Sequence, residues 1–521
     1  MEHIEIVIVS LLVAVAGLSA LATRLGVPYP ILLVLGGLVM GFMPGIPDVT
    51  LEPDLVLVVF LPPLLYGGAF FANLRELRAD ARSITLLSTL LVVATAAAVA
   101  VTVHALVDGL SWAACFAMGA IVAPTDPVAA TAIARRFDVP RRTINILEGE
   151  SLINDASALV LYRIALGAIG GGTFSLLDAG LEFVGSATGG AAIGLVIGRV
   201  IAEIRRHLDD PPVEITISLL SGYAAYVPAE AVGASGVIAA VTAGVAIGWW
   251  APNISSPEMR QQGSAVWSML TFLLNALLFV LIGLQLPSIL DGLSGESPWF
   301  LIGVGAAVSA VVAGTRIAWL LTMPHIIRAL DRRPSQVARR AGWRPRMVLA
   351  WSGMRGAVSL AAALALPADT PQRDLLVFVT FTVILATLVL QGLTLPTVIR
   401  RLGVHGDGAE AEEELRARLV ATQAALARLD ELAAEEWTRD ETAQRMMALY
   451  DYRRRRLKAR AGKIEDDGYE DRSAAYQRMV REVLEAQRAA VVGLRNEGVI
   501  SNDVMHRIER ELDLEDQRLE I

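Results

Sequence analysis

Glu148-Gly149-Glu150-Ser151-Leu152-Ile153-Asn154-Asp155 opens an apolar run that continues from Ala156 to Leu166. Three carboxylates, an amide and a hydroxyl thus enter a segment otherwise suited to lipid. An unpaired charge at that depth costs several kcal/mol, roughly 2.5 to 3.5 on insertion scales and more on others. These polar groups must therefore face protein or a cavity, and the flanking segments decide what fold supplies it.

Those segments are apolar as well. The chain has 521 residues, 54% of them hydrophobic. Its apolar runs fall near 4–22, 28–43, 54–72, 83–107, 111–135, 143–169, 174–204, 212–230, 233–250, 263–287, 298–328, 345–367 and 373–400. Most approach the roughly 20 residues that cross a bilayer as a helix, which predicts an all-α polytopic membrane protein of about 13 transmembrane helices. The single cysteine, Cys115, lies in one of these runs, so neither a disulfide framework nor a cysteine metal site is expected within one chain. Glu2 and Glu5 occupy the place of a basic leader, which argues against a cleaved signal peptide and for a retained first helix.

Loop charge predicts the orientation, because short arginine-rich loops stay in the cytoplasm. With the N-terminus outside, 21 arginines fall on the cytoplasmic side, among them Arg75, Arg78, Arg82, Arg135, Arg136, Arg141, Arg142, Arg332, Arg333, Arg339, Arg340, Arg400 and Arg401. The opposite gaps hold Arg373 and acids such as Asp48, Glu52, Asp54, Asp108, Asp291, Glu296 and Asp369. The C-terminus is thereby expected inside, in the plasma membrane of a bacterial cell.

After Arg401 the composition changes. Residues 402–521 hold 20 basic and 27 acidic residues, a net charge of −7, and carry helical patterns over Ala409–Glu436 and Tyr476–Val492. Residues 1–401 read as a transmembrane domain and 402–521 as a helical cytoplasmic tail with a regulatory or dimer-supporting role. The basic run Arg453–Arg456 has the charge to meet anionic lipid or an acidic partner, although such runs more often form a solvated helix face. Nothing points to nucleic acid.

Two of the apolar runs carry internal breaks. Ala123-Pro124-Thr125-Asp126-Pro127 places two prolines about a hydroxyl and a carboxylate, and Trp351-Ser352-Gly353-Met354-Arg355-Gly356 places two glycines about an arginine. Proline removes a backbone donor and frees a carbonyl upstream. The two runs are seven spans apart and so cross in opposite directions, which points to an inverted repeat with its site where the breaks meet. Half-helix N-termini attract anions and C-termini attract cations, and Asp126 and Arg355 suit that balancing role.

Ser151 and Asp155 are four apart and share one helix face, while Asn154 is turned by about 100°. A carboxyl withdrawn into an apolar cavity holds a proton more readily than one in water, so Asp155 can alternate between a proton and a small cation. Thr125, Asp126, Ser151 and Asp155 supply oxygens that suit hard cations, and no histidine or cysteine among them favours a transition metal. Arg316, in the eleventh run, needs a partner, for which Glu150 is the natural candidate; Arg163 needs one too, or snorkels. A channel would want a continuous selectivity filter, and an intramembrane enzyme would want a catalytic grouping that is absent.

At these residues the chain resembles the sodium/proton exchangers of the NhaP and NHE type. The resemblance rests on Gly149-Glu150-Ser151-Leu152-Ile153-Asn154-Asp155, Thr125-Asp126-Pro127-Val128, Leu61-Pro62-Pro63-Leu64-Leu65 and Met354-Arg355-Gly356-Ala357-Val358-Ser359, and it covers about residues 4–400. It implies a thirteen-helix inverted-repeat fold with two crossing discontinuous helices, split between a dimer side and a mobile core of about 54–169 and 298–400. It further implies a homodimer in membrane lipid that works by elevator-type alternating access and contributes to pH homeostasis. On it, Asp155 is the exchanging carboxylate, Ser151, Thr125 and Asp126 assist in holding Na+, Asn154 and Arg355 support the crossing, and Glu150 pairs with Arg316. The substrates are Na+, with Li+ or K+ as further or preferred cations, and H+; no cofactor and no enzymatic activity are implied. Asn154 before Asp155 favours electroneutral exchange of one cation for one proton. Tyr66-Gly67-Gly68 stands where several prokaryotic relatives carry an acid, so any contact from that helix is missing.

Overall fold

The computed structural model describes residues 2–44, 52–53, 55–169, 176–293, 295–330, 342–406, 408–464 and 468–519. Asp48, Asp54, Arg332, Arg333, Arg339 and Arg340, counted above among the loop charges, lie outside them. Among the described residues the regular structure is all helical, without a strand, and the chain divides into two compact units, Met1–Gly406 and Asp407–Ile521.

In the first unit the helices are α1 (Glu2–Leu25), α2 (Tyr29–Gly41), α3 (Leu61–Phe70), α4 (Leu74–Leu106), α5 (Trp112–Val122), α6 (Val128–Arg136), α7 (Arg141–Ile169), α8 (Leu176–Arg205), α9 (Pro211–Ala231), α10 (Gly236–Ile254), α11 (Pro257–Leu284), α12 (Pro298–Leu330), α13 (Trp343–Trp351), α14 (Ala357–Leu364) and α15 (Arg373–Leu402). Among the described residues, seven helices are long and apolar enough to cross a membrane, and four shorter apolar helices accompany them. Capping follows local chemistry: Ser111, Asp210, Ser235 and Ser256 each accept a bond from a backbone N–H in the first turn of the helix they precede, satisfying a donor with no partner inside the helix.

The expected breaks are present. The fifth run is interrupted over 123–127 between α5 and α6, and the twelfth over 352–356 between α13 and α14. Around them lies a core that includes Met118, Ile121, Leu360 and Phe381 and reaches α2 and α11 through Val34 and Phe279. A second core, with Tyr66, Ala243, Ile247 and Trp267 at its centre, joins α3 to α8–α11.

Glycines let helices in both cores approach closely. Gly244 of α10 sits where an added Cβ would lie 2.6 Å from the Tyr66 carbonyl of α3. Gly37 of α2 and Gly283 of α11 likewise face each other's backbone with no room for a methyl. In a bilayer such small-residue contacts supply the packing that a hydrophobic driving force cannot. The contact of α7 with α3 is of another kind, since a Cβ at Gly68 would meet Leu152 at an ordinary 3.5 Å.

The second unit consists of α16 (Ala409–Ala433), α17 (Asp440–Arg460), α18 (Tyr469–Asn496) and α19 (Asn502–Leu519). Its basic run is largely engaged within the unit: Arg454 and Arg455 pair with Asp451, Arg456 donates to Ser473 at 2.7 Å, and Arg453 stacks over Tyr450. Arg488 bridges α18 to Asp513 and Asp516 of α19.

Candidate functional site

The two breaks pass each other at van der Waals distance. The Asp126 N–H donates to the Met354 carbonyl at 2.8 Å, joining them backbone to backbone. Gly356 lies so close to Asp126 that a Cβ would overlap the carboxylate. Asp126 Oδ1 accepts from the Val128 N–H at 2.9 Å and so caps α6, while the same carboxylate abuts the residue just ahead of α14. Arg355 serves the opposite ends. Its Nε donates to the carbonyl of Val122, the last residue of α5, at 3.0 Å, and its Nη1 to the Gly353 carbonyl beyond α13. Negative charge at the helix starts and positive charge at the helix ends is the arrangement that the backbone dipoles favour. The Arg355 N–H is held in turn by Thr387 Oγ1 at 3.2 Å, in the π-helical turn Ala386–Gln391 of α15.

Behind the crossing, α7 supplies a buried polar network. Glu150 and Arg316 of α12 form a two-pronged ion pair, with Arg316 Nη2 donating to Glu150 Oε2 at 2.9 Å and Nη1 to Oε1. Both side chains are about 2% exposed. Arg316 also donates to the Leu349 carbonyl from Nε at 3.3 Å and Nη2 at 3.2 Å, near the end of α13. The Thr125 hydroxyl donates to Glu150 Oε1 at 3.0 Å and accepts from Asn154 Nδ2 at 3.0 Å. Asn154 Nδ2 reaches the Thr125 carbonyl as well, at 3.2 Å. The Thr125 side chain, expected above to turn toward a cation, is thus largely committed to this network.

Asp155 and Ser151 turn the other way, as their spacing predicts, onto a cavity of about 360 Å3 that Thr125 and Asp126 also line. Asp155 is 8% exposed. The cavity extends to the exposed ion pair of Arg135 with Glu148, 2.8 Å long, so a chain of lining residues connects the deep carboxylates to the surface. Gly67 and Gly68 also face it, and α3 brings no acid to it.

Polar lining residues to which the sequence reading gave no role include Thr131 of α6. Ser359 follows the second break, and Thr271 and Asn275 come from α11. Asn275 was visible as a lone amide between Leu274 and Ala276, but that it lines the same cavity as Asp155 is a long-range relation that spacing does not reveal. Arg163 has a partner: it pairs with Glu230 at 2.7 Å, and Glu230 also accepts from the Gly236 N–H at 2.9 Å. His104 stacks on Trp112 at 4.1 Å between ring centres, away from the cavity's lining.

Comparison with known proteins agrees with this architecture. The model of the family described as "Sodium/hydrogen exchanger, transmembrane" matches residues 8–401. A protein of Mycobacterium tuberculosis named as an uncharacterized Na(+)/H(+) exchanger is 36% identical over 527 residues, covering 99% of this chain and 96% of that protein. The Na(+)/H(+) antiporter ApNhaP of Aphanothece halophytica is 34% identical over 436 residues, 82% of this chain and 81% of its own length. The structure of the sodium proton antiporter MjNhaP1 from Methanocaldococcus jannaschii superimposes with a TM-score of 0.60 at 21% identity, over 77% of this chain and 99% of that one, which shows a shared fold. With the family match spanning both breaks, the α7 network and the cavity, the chain belongs to the transmembrane sodium/hydrogen exchanger family.

Proposed function

We propose that this protein is a secondary transporter, not an enzyme, that exchanges Na+ for H+ across the plasma membrane with Asp155 as the group both substrates compete for. The observation that carries the reading is the position of Asp155: a carboxyl buried on a cavity wall, beside Ser151 and the Asp126 crossing, and connected to the surface past Glu148. Carboxylate and hydroxyl oxygens suit a hard, poorly polarisable cation, and a carboxylate either binds that cation or takes a proton. Mutual exclusion at one group couples the two fluxes without further machinery.

Ser151 and Asp126 are proposed as further cation ligands and Thr125 as a ligand whose main work is to brace the crossing. Asn154, Glu150, Arg316 and Arg355 hold the broken helices in place. Asn154 adds no charge beside Asp155, which supports one cation per proton and hence electroneutral exchange. Li+ and K+ meet the same oxygens and are measured alongside Na+; a K+/H+ antiporter is the second reading.

Loop charge supports an external N-terminus, an internal C-terminus and a cavity that opens to the cytoplasm. The packing of α3 with α8–α11 supports a fixed part that includes α3, which the expectation for 54–169 puts in the moving core, and a moving part about the crossing, in a homodimer with elevator-type motion; residues 402–521 are proposed as a regulatory tail.

The test is purified protein in liposomes given a pH gradient and then Na+, Li+ or K+, with internal pH followed and the voltage clamped. Cation-dependent proton movement that persists under the clamp is expected, and loss of it in Asp155→Asn. Full activity in Asp155→Asn overturns the assignment, and current without proton coupling indicates a channel.

A further inference from the structure

The cavity at Asp155 has two chemically different walls. One, formed by α7 and the crossing, carries Asp155, Ser151 and Asp126. The other, formed by α3 and α11, is apolar apart from a single pair one helical turn apart, Thr271 and Asn275. Asn275 is 7% exposed, and its Nδ2 donates to the Thr271 carbonyl at 2.8 Å. That bond uses the donor side of the amide on its own helix. The oxygen side, an acceptor with two lone pairs, is left for the cavity.

An amide in a stretch such as Phe272–Leu284 is out of place in lipid and belongs to the class of intramembrane polar groups that mark pathways. Its chemistry is also distinct from that of the facing wall. An amide oxygen ligates hard cations but takes up no proton near neutral pH, so it discriminates between the two substrates that a carboxylate cannot tell apart by charge.

We propose that Asn275 Oδ1 is a cation-specificity ligand offered to the transported ion from the wall opposite Asp155. The inference rests on the exchange reading of Asp155. On the alternating-access motion proposed above, α11 and α7 belong to different parts, so the amide contributes only in the conformation where these two walls enclose the ion. Asn275 therefore raises cation affinity on one side of the membrane and leaves proton binding alone.

Full-length protein in right-side-out and inside-out vesicles tests this. Asn275→Ala is expected to raise the KM for Na+ about tenfold, the equivalent of one ligand's interaction, in one vesicle orientation only. The maximal rate, the pH profile at saturating Na+ and the thermal midpoint should stay near wild type. Asn275→Leu, which preserves bulk, should reproduce the shift, and Asn275→Asp, which preserves an oxygen, should keep KM at or below the wild-type value. Unchanged KM in both orientations, an equal shift in both, or a lower thermal midpoint without a KM change overturns the inference while an exchanging wild type leaves the Asp155 reading intact. A wild type with no cation-driven proton movement overturns both.

Discussion

The Asn154 side-chain amide donates to both oxygens of Thr125, the carbonyl at 3.2 Å and the hydroxyl at 3.0 Å. The carbonyl lies inside the break, where no helical N–H is available to it. An asparagine of α7 thus mends backbone that two prolines have opened.

Replacing that amide should be costly. Asn154→Ala leaves a buried carbonyl unpaired, a loss of about 1–3 kcal/mol, measurable as a lower thermal midpoint in detergent. Asn154→Asp offers only acceptors to the same carbonyl and should destabilise at least as much. Any activity it keeps should become voltage-sensitive, because a second carboxylate then stands beside Asp155; voltage-independent exchange by Asn154→Asp would count against the electroneutral role given to the asparagine.

Glu150→Gln should lower folded yield and thermal stability sharply. Removing one partner of a buried pair strands the other charge and costs about 3–5 kcal/mol. Glu150→Gln combined with Arg316→Met removes both charges and should recover part of the loss. If the double variant is no more stable than the single one, the Arg316 bonds to Leu349 matter more than its pairing with Glu150.

At the crossing, Gly356→Ala forces a methyl into the Asp126 carboxylate. Overpacking typically costs about 1–3 kcal/mol, and here it also pushes a charge off the start of α6. Reduced folded yield with loss of exchange is expected. Gly68→Ala, whose methyl would meet Leu152 at 3.5 Å, should leave stability near wild type and provides the control.

The Arg163–Glu230 pair sets a contrast. Its side chains are 46% and 29% exposed, so water screens the attraction, and pairs of this kind contribute about 1 kcal/mol or less. Arg163→Gln should shift the thermal midpoint little. A loss as large as that of Glu150→Gln would mean that the pair works in a far drier setting than its exposure indicates.

The sequence carried the local features of this fold and few of the distant ones. Proline and glycine chemistry located both breaks to within a residue or two, because a missing N–H or Cβ acts where it stands. The four-residue spacing of Ser151 and Asp155 set their common face for the same reason. Arg316 with Glu150 was legible as two charges that lipid would not tolerate singly. The double engagement of the Thr125 hydroxyl was not, since it depends on three helices meeting at one point. The same holds for Asn275 and for Ser359, which look like isolated polar residues until the chain folds. In the tail, Arg453–Arg456 read as a solvated helix face or a site for an acidic partner, and the engagement of Arg456 by Ser473 on the next helix was out of reach because it depends on packing.

The leucines opposite Asp155 have a consequence for leakage. Leu61, Leu64 and Leu65 of α3 offer no ligand to a bare carboxylate, and carrying one across such a surface costs several kcal/mol. Each 1.4 kcal/mol suppresses a transition about tenfold, so on that exchange reading an empty, ionised carrier should move orders of magnitude more slowly than one neutralised by a proton or a cation. On the exchange proposed above, the greasy face of α3 would act as a check valve against slippage, making the unloaded return stroke slow beside the loaded ones.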